Sequence, residues 1–267
     1  VSGEGIVIKD NLVKRVLREG GVAIGTMVSQ VRTPSIATML RAAGFDYFFI
    51  DSEHGAFNLE TIQDIALVAR EAGIMPFLRV PGLEDPYLFR PLDAGVMGLL
   101  CPHVETEEQA RHIVRATKYY PFGERGMSLR NVHTSFTRGK GDEVTRRLNE
   151  ETLLAVQVET AKGVENIDAI VGVEGIDSVY VGPNDLSQTV GVPGQIHHPE
   201  VTRRIERVID ACRRAGVAPG LHTYDVESAQ GWLKKGIRLL GYAGDSSFIV
   251  DAGAQVVNSL RTFLSTR

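Results

Sequence analysis

Eight times along the chain a short apolar or β-branched run is followed by a longer segment of helical period, and this alternation limits the fold more than any other feature. The runs cover residues 22–28, 47–50, 75–80, 98–101, 153–158, 178–181, 218–221 and 238–242. Most are nearly continuous in apolar residues, as strands covered on both faces are, so they belong to a parallel sheet wrapped by its own helices. Eight such units in 267 residues suit one (β/α)8 TIM barrel. Length alone would allow two small domains, but no composition shift or further repeat marks a boundary. The expectation is therefore an α/β fold in which residues 1–267 form a single barrel domain.

The punctuation agrees. Thr33 with Pro34, Asn58 before Leu59, Thr106 before Glu107 and Glu108, and Pro199 before Glu200 are helix-start signals. Gly44, Gly73, Gly95, Gly216 and Gly236 each stand shortly before a strand, where a left-handed helix cap belongs. One connection, residues 118–141, is rich in Gly, Arg, Ser and Thr and longer than a compact domain tolerates without use. It reads as a lid or a subunit-contact loop.

Net charge −4 and a pI near 6.0 give no basic footprint for nucleic acid. Residues 1–10 lack a basic stretch followed by an apolar core, and no later run matches a bilayer span. No membrane is expected, and the expected compartment is the cytoplasm. Cys101 and Cys212 have neither CxxC nor Cys/His spacing, so they read as buried thiols.

Barrels of this kind do their chemistry at the C-terminal ends of the strands. Here those ends carry Asp51-Ser52-Glu53-His54-Gly55, Arg79, His103, Gln157-Val158-Glu159 and Gly182-Pro183-Asn184-Asp185. Gln157 and Glu159, two apart on a strand, point the same way, and Asp185 leaves the next strand at about the same height. Two carboxylates and an amide without thiolates suit a hard divalent ion such as Mg²⁺ or Mn²⁺; the competing role is helix capping near Thr160 and after Asp185. His54 lies three residues after Asp51, near enough for a carboxylate-held imidazole or for an ordinary loop histidine. Arg79 ends an apolar strand, where its guanidinium meets either a substrate carboxylate or an ion pair with Asp51 or Glu53. Lys9, Lys14, Lys118, Lys140, Lys162, Lys234 and Lys235 all avoid the inward strand ends, which disfavours imine chemistry. Residues 241–245 form a glycine-rich turn that either binds phosphate or only turns.

These residues resemble the HpcH/HpaI family of metal-dependent pyruvate aldolases, of the 4-hydroxy-2-oxo-heptanedioate and 2-dehydro-3-deoxy-glucarate aldolase type. The carriers are Asp51-Ser52-Glu53-His54, Phe77-Leu78-Arg79-Val80, Leu92-Asp93-Ala94-Gly95, Pro102-His103-Val104-Glu105-Thr106, Gly123-Glu124-Arg125-Gly126, Gln157-Val158-Glu159-Thr160 and Val181-Gly182-Pro183-Asn184-Asp185-Leu186. The resemblance implies that Glu159 and Asp185 bind a divalent ion, Mg²⁺ or Mn²⁺ before Co²⁺ or Zn²⁺. It further implies that Arg79 and Gln157 contact the pyruvyl part, that Asp51 and His54 move protons, and that backbone amides around Asn184 and Asp185 receive the substrate carboxylate. Asp93 matches an acid that approaches a neighbouring subunit's site. The family pattern is a homohexamer with its last helix exchanged, and Phe248, Ile249, Ala252, Val256, Leu260 and Phe263 are spaced to bury a stripe on a partner.

Ser52 stands where relatives usually have glycine, and His222 where they often have an apolar residue lining the far end of the pocket. With Arg125 and Arg130 of the long loop, His222 suggests donors beyond the pyruvyl site and hence a polar aldehyde. The implied reaction is reversible cleavage of a 4-hydroxy-2-oxo acid to pyruvate and an aldehyde through a metal-stabilised enolate. Rival readings are a citramalyl- or malyl-CoA-type lyase, which needs a basic entrance, a phosphosugar isomerase using residues 241–245, and a non-catalytic oxo-acid binder.

Overall fold

The computed structural model describes residues 8–137 and 139–266; the first seven residues of the expected domain lie outside the described ones. Eight parallel strands, β1 (Ala23–Val28), β2 (Tyr47–Asp51), β3 (Met75–Arg79), β4 (Gly98–Cys101), β5 (Leu153–Val158), β6 (Ser178–Val181), β7 (Ala218–Thr223) and β8 (Leu239–Gly244), pair in chain order. β8 returns to β1, which closes the barrel. The expected strands differ from these by at most two residues at either end. β7 and β8 run on because the ladder continues through His222↔Gly241 and Thr223↔Tyr242, polar and glycine positions that read as loop in one dimension.

Asn58 and Thr106 cap the helices Leu59–Ala72 and Glu107–Thr117, accepting from the backbone N–H of Thr61 and Gln109. Pro199 opens the helix Pro199–Ala215. The helix expected at Thr33 starts instead at Ile36, with Ser35 at its cap. Gly44, Gly73, Gly95, Gly216 and Gly236 all have positive φ. No start signal announced the helices Leu12–Arg18 and Gly141–Glu151. The first seals the barrel floor: Asn11 Nδ2 donates to Met97 O at 2.9 Å, and Lys14 Nζ to Thr152 O at 2.6 Å and Asp177 Oδ2 at 2.8 Å.

Strand side chains alternate, so Phe48 and Ile50 join the core between sheet and helices while Tyr47 and Phe49 point into the barrel. Tyr47, Phe49, Phe77 and Tyr180 fill that interior with ring centroids 5.2–5.9 Å apart. Glycine is required beside them. A Cβ on Gly25 would come 2.5 Å from the Tyr47 ring, and one on Gly241 would overlap the Tyr180 hydroxyl. Continuing each inward series toward the strand end brings up Asp51, Arg79, Gln157 and His222, so the packing that fills the barrel also aims its polar residues at the mouth.

Two peripheral features differ from expectation or extend it. The 118–141 loop packs along the barrel's flank, where Asn149 takes the Tyr119 N–H and gives its own to Tyr119 O, and Arg70 donates to Val132 O. Its described residues line no part of the mouth, so the lid reading is overturned. The last helix, Asp245–Ser265, buries only Asp245 and leaves Ile249, Val256, Leu260 and Phe263 more than half exposed.

Candidate active site at the barrel mouth

A cleft of about 410 Å³ opens at the C-terminal ends of the strands, lined by Arg79, Gln157, Asp185, His54, His222 and Tyr224 among others. The β2–β3 register sets Asp51 beside Arg79. Arg79 donates from Nε to Asp51 Oδ1 at 3.0 Å and from Nη2 to Oδ2 at 2.7 Å, and its Nη1 lies 3.1 Å from Glu53 Oε2. Both ion pairs considered from sequence therefore form, while the guanidinium still lines the cleft. Burial pushes the Asp51 carboxyl up, but Arg79 and the N–H groups of His54 and Glu53 outweigh it and hold the group below its ordinary value.

The expected Asp51–His54 contact takes another form. Asp51 Oδ1 accepts the backbone N–H of His54 at 3.2 Å and that of Glu53 at 3.1 Å. Its remaining capacity goes to Arg79, so Asp51 shapes the loop, and the imidazole stands at the mouth, 68% exposed, with Nε2 4.0 Å from Glu53 Oε2. Ser52 is drawn the other way: its Oγ donates to Arg79 O at 2.8 Å, so the extra bulk lies against β3 and outside the cleft.

Glu159 is the most enclosed acid of the site, with its side chain 1% exposed. Its Oε1 accepts the His103 N–H at 2.9 Å, and its Oε2 accepts from Gln157 Nε2. Burial raises its pKa, against those two donors, and the charge of Asp185 raises it further. Helix capping does not account for either acid. Thr160 caps the helix Ala161–Glu165, and Gly182 stands at the cap of Pro183–Thr189. Asp185 makes no side-chain hydrogen bond or ion pair among the described residues, although it lines the cleft. Gly182 lets β6 come this close, since a Cβ there would lie 2.5 Å from Glu159 Oε2. A buried acid with a second acid beside it that has no side-chain partner fits the divalent ion expected here, because such a pair is costly unless a cation joins it.

His222 points inward, with Nδ1 3.2 Å from the Tyr180 hydroxyl and its ring edge-on to Tyr224 at 5.0 Å. Burial, with the nearby charge of Arg79, lowers its pKa to about 4, so it is a neutral polar group. Asn184 Nδ2 donates to the Tyr224 hydroxyl at 2.9 Å, which completes a polar wall. The other donors expected beyond the pyruvyl site lie elsewhere. Arg125 is buried against Asp93 at 2.5 Å, and Arg130 Nε donates to Phe136 O at 3.4 Å. Asp93 shares that flank cluster with His133 Nδ1 at 3.9 Å and does not line the cleft of its own chain. Sequence reading gave Glu53 only as a possible ion-pair partner of Arg79, gave His103 no role, and passed over Tyr180 and Tyr224. Tyr180 was findable, two positions before Gly182 on an inward series.

The cleft bears on three rival chemistries. Among the described residues no lysine lines it; Lys14 and Lys118 are held at the opposite end by Thr152 O, at 2.6 and 2.8 Å. Arg79 is its single Lys or Arg among the described residues, which leaves no basic entrance for nucleotide phosphates. The 241–245 turn ends in an acid that places negative charge beside it. Asp245 accepts from the backbone N–H groups of Ser29, Gln30, Val31 and Ser246 at 2.7–3.2 Å, filling with its own carboxylate the place a phosphate would need.

The sequence model of the HpcH/HpaI aldolase/citrate lyase family matches residues 26–252. Hydroxypyruvate/pyruvate aldolase of Roseobacter denitrificans is 35% identical over 246 residues, covering 92% of this chain and 95% of that protein. 2-Keto-3-deoxy-L-rhamnonate aldolase of Salmonella gallinarum is 36% identical over 242 residues, covering 91% and 90%. Among solved structures, an HpcH/HpaI aldolase from Desulfitobacterium hafniense superposes with a TM-score of 0.89 at 35% identity, covering 93% of this chain and 96% of that one.

Proposed function

The chain belongs to the HpcH/HpaI aldolase/citrate lyase family, and from that premise we propose that it is a carbon–carbon lyase that reversibly cleaves a 4-hydroxy-2-oxo acid into pyruvate and an aldehyde. The observation that carries this reading is the convergence of Arg79, Gln157 and Asp185 on one lysine-free cleft beside the buried Glu159. Glu159 and Asp185 would hold the divalent ion, Mg²⁺ or Mn²⁺ before Co²⁺ or Zn²⁺. When bound, such an ion supplies Lewis-acid stabilisation of negative charge on the 2-oxo oxygen.

The protein's own groups divide the remaining work. Arg79, anchored by Asp51 and Glu53, keeps a fixed positive charge facing the 2-oxo group. Gln157 hydrogen-bonds Glu159 and so fixes the acid's rotamer beside the pyruvyl part. Backbone amides at Asn184 and Asp185 would receive the substrate carboxylate. His54 would take the proton of the 4-hydroxyl as the C3–C4 bond breaks and return it in condensation; its exposed ring, with Nε2 4.0 Å from Glu53 Oε2, suits a group that must exchange protons with water. The wall of His222, Tyr224 and Asn184 would meet the aldehyde half and favour polar over plain alkyl chains.

Asp93, paired with Arg125 away from its own chain's cleft, suits an acid that serves a neighbouring subunit. A homohexamer with its last helix exchanged is supported by the apolar residues left exposed on Asp245–Ser265, including Ile249, Leu260 and Phe263. Tyr120, Phe122 and Met127 are exposed on the long loop, in keeping with its subunit-contact reading. The partners are small oxo acids and aldehydes. Two buried free cysteines accord with the cytoplasm, and no helix among the described residues is long and apolar enough to cross a membrane.

Exchange of the pyruvate methyl protons in D₂O, with and without EDTA, tests cation, base and enolate together. Exchange that EDTA abolishes is the expected result. Pyruvate binding without exchange would leave only an oxo-acid binder, and exchange indifferent to EDTA would overturn the divalent-ion reading.

A further inference from the structure

Beyond Asp185, the mouth presents Glu159 with a second set of donors of different chemistry. His103 follows β4 in a left-handed backbone conformation, φ 55°, which turns its ring across the mouth. Nδ1 lies 3.0 Å from Glu159 Oε1, and Nε2 lies 3.0 Å from Glu53 Oε1. One ligand atom each from Glu53, His103 and Glu159 can be chosen so that all lie within 4.8 Å of one another. That spacing needs only small side-chain movements to bring nitrogen and oxygen donors to the roughly 2.0–2.2 Å of a first-row metal bond.

A separate observation points the same way. The Glu53 side chain is 9% exposed, yet its Oε2 has no hydrogen-bond partner. Arg79 Nη1 is 3.1 Å away without being aligned for a bond. Arg79 is shared between Asp51 and Glu53, so with Glu159 across the imidazole three enclosed acids face one guanidinium, a costly arrangement unless a further cation completes it. The His103 ring, 62% exposed on its loop, has freedom to rotate from bridging two acids to binding a metal between them.

We propose that His103 is a nitrogen ligand of the divalent ion held by Glu159, with Glu53 as a further oxygen donor, so that this chain prefers borderline ions such as Co²⁺ or Zn²⁺ to Mg²⁺. Imidazole selects such ions, whereas carboxylate and water alone suit Mg²⁺. The inference rests on the divalent-ion reading above and refines it, moving the preferred ion away from the one that two carboxylates alone suggest.

The test uses the full-length protein stripped of metal, with Mn²⁺, Co²⁺ and Mg²⁺ as probes. Spin-echo modulation from ¹⁴N on bound Mn²⁺ reports a nitrogen ligand directly, and calorimetric titration gives each Kd. The parent should show ¹⁴N modulation that disappears in His103→Met, whose Kd for Co²⁺ should rise at least about tenfold while that for Mg²⁺ changes less than about threefold. Glu53→Gln, close to the same shape, should also weaken Co²⁺ binding and serves if His103→Met fails to fold. Absence of ¹⁴N modulation in the parent, its persistence in His103→Met, or equal Kd changes for Co²⁺ and Mg²⁺ would each overturn the proposal while leaving EDTA-sensitive pyruvate exchange intact. Failure of the broader reading looks different: no measurable divalent binding and exchange indifferent to EDTA, which would overturn both.

Discussion

Asp51 and Glu159 are acids at neighbouring strand ends with opposite electrostatic fates. Arg79 makes the ionised form of Asp51 the stable one, whereas burial beside Asp185 leaves Glu159 short of positive charge. The two acids around the cation position should therefore be the sensitive ones. Glu159→Gln or Asp185→Asn should abolish metal-dependent turnover with an unchanged circular dichroism spectrum, because each deletes a negative donor to a hard cation; full activity in either metal-stripped variant would refute their assignment. His54→Ala should slow aldol cleavage by roughly 10²–10⁴-fold with a much smaller loss of pyruvate binding. A tenfold or smaller effect on the proton-transfer step would make His54 an ordinary loop residue. At this scale the sequence was readable where function follows strand parity. Arg79, Gln157 and His222 continue inward series, so their direction is visible before the fold is known. Glu53 and His103 are different, because they meet only through the arrangement of the β2 and β4 ends, and no local spacing reports that.

Strands were easier to read than helices for a physical reason. A strand buried on both faces declares itself by composition alone, and so β4, β5 and β6 have the bounds their apolar runs suggest. The helix Leu12–Arg18 buries Lys14 beside Val13 and Leu17, and Gly141–Glu151 buries Thr145 and Asn149 beside Val144 and Leu148. Polar residues that pair across the fold break the apolar stripe by which a helix is found. Glycines inside strands carry a different message. Gly241 faces the Tyr180 hydroxyl and His222 Nδ1, so Gly241→Ala should cost about 1–3 kcal/mol, the usual range for overpacking a filled core. Adding Tyr180→Phe should return part of that loss. Urea unfolding midpoints of the single and double variants check it, and an unchanged midpoint in Gly241→Ala would show that the interior has room to spare.

Across the whole molecule, one buried and one half-buried histidine make acid stability predictable. His222 faces Arg79, Asp51 and Tyr180; His133 faces Arg125, Asp93 and Arg70; both have pKa values lowered to about 4, chiefly by burial. The folded protein keeps each ring neutral while the unfolded chain takes up a proton near pH 6.5, so acid favours unfolding in between. Their contribution is complete above about pH 6.5 and is lost as the pH falls to about 4, at up to about 1.4 kcal/mol per pH unit for each ring. Asp51, with its pKa lowered, adds stability that disappears only at more acidic pH. Replacing either histidine with Gln should flatten the pH dependence of unfolding between 4 and 6.5 by about one proton, read from urea titrations at a series of pH values; an unchanged slope in both variants would place the sensitivity elsewhere. The tyrosine and phenylalanine rings inside the barrel, with Asn11 and Lys14 beneath them, also govern traffic. Among the described residues they close the barrel axis, so both halves of a cleaved substrate would share one exit.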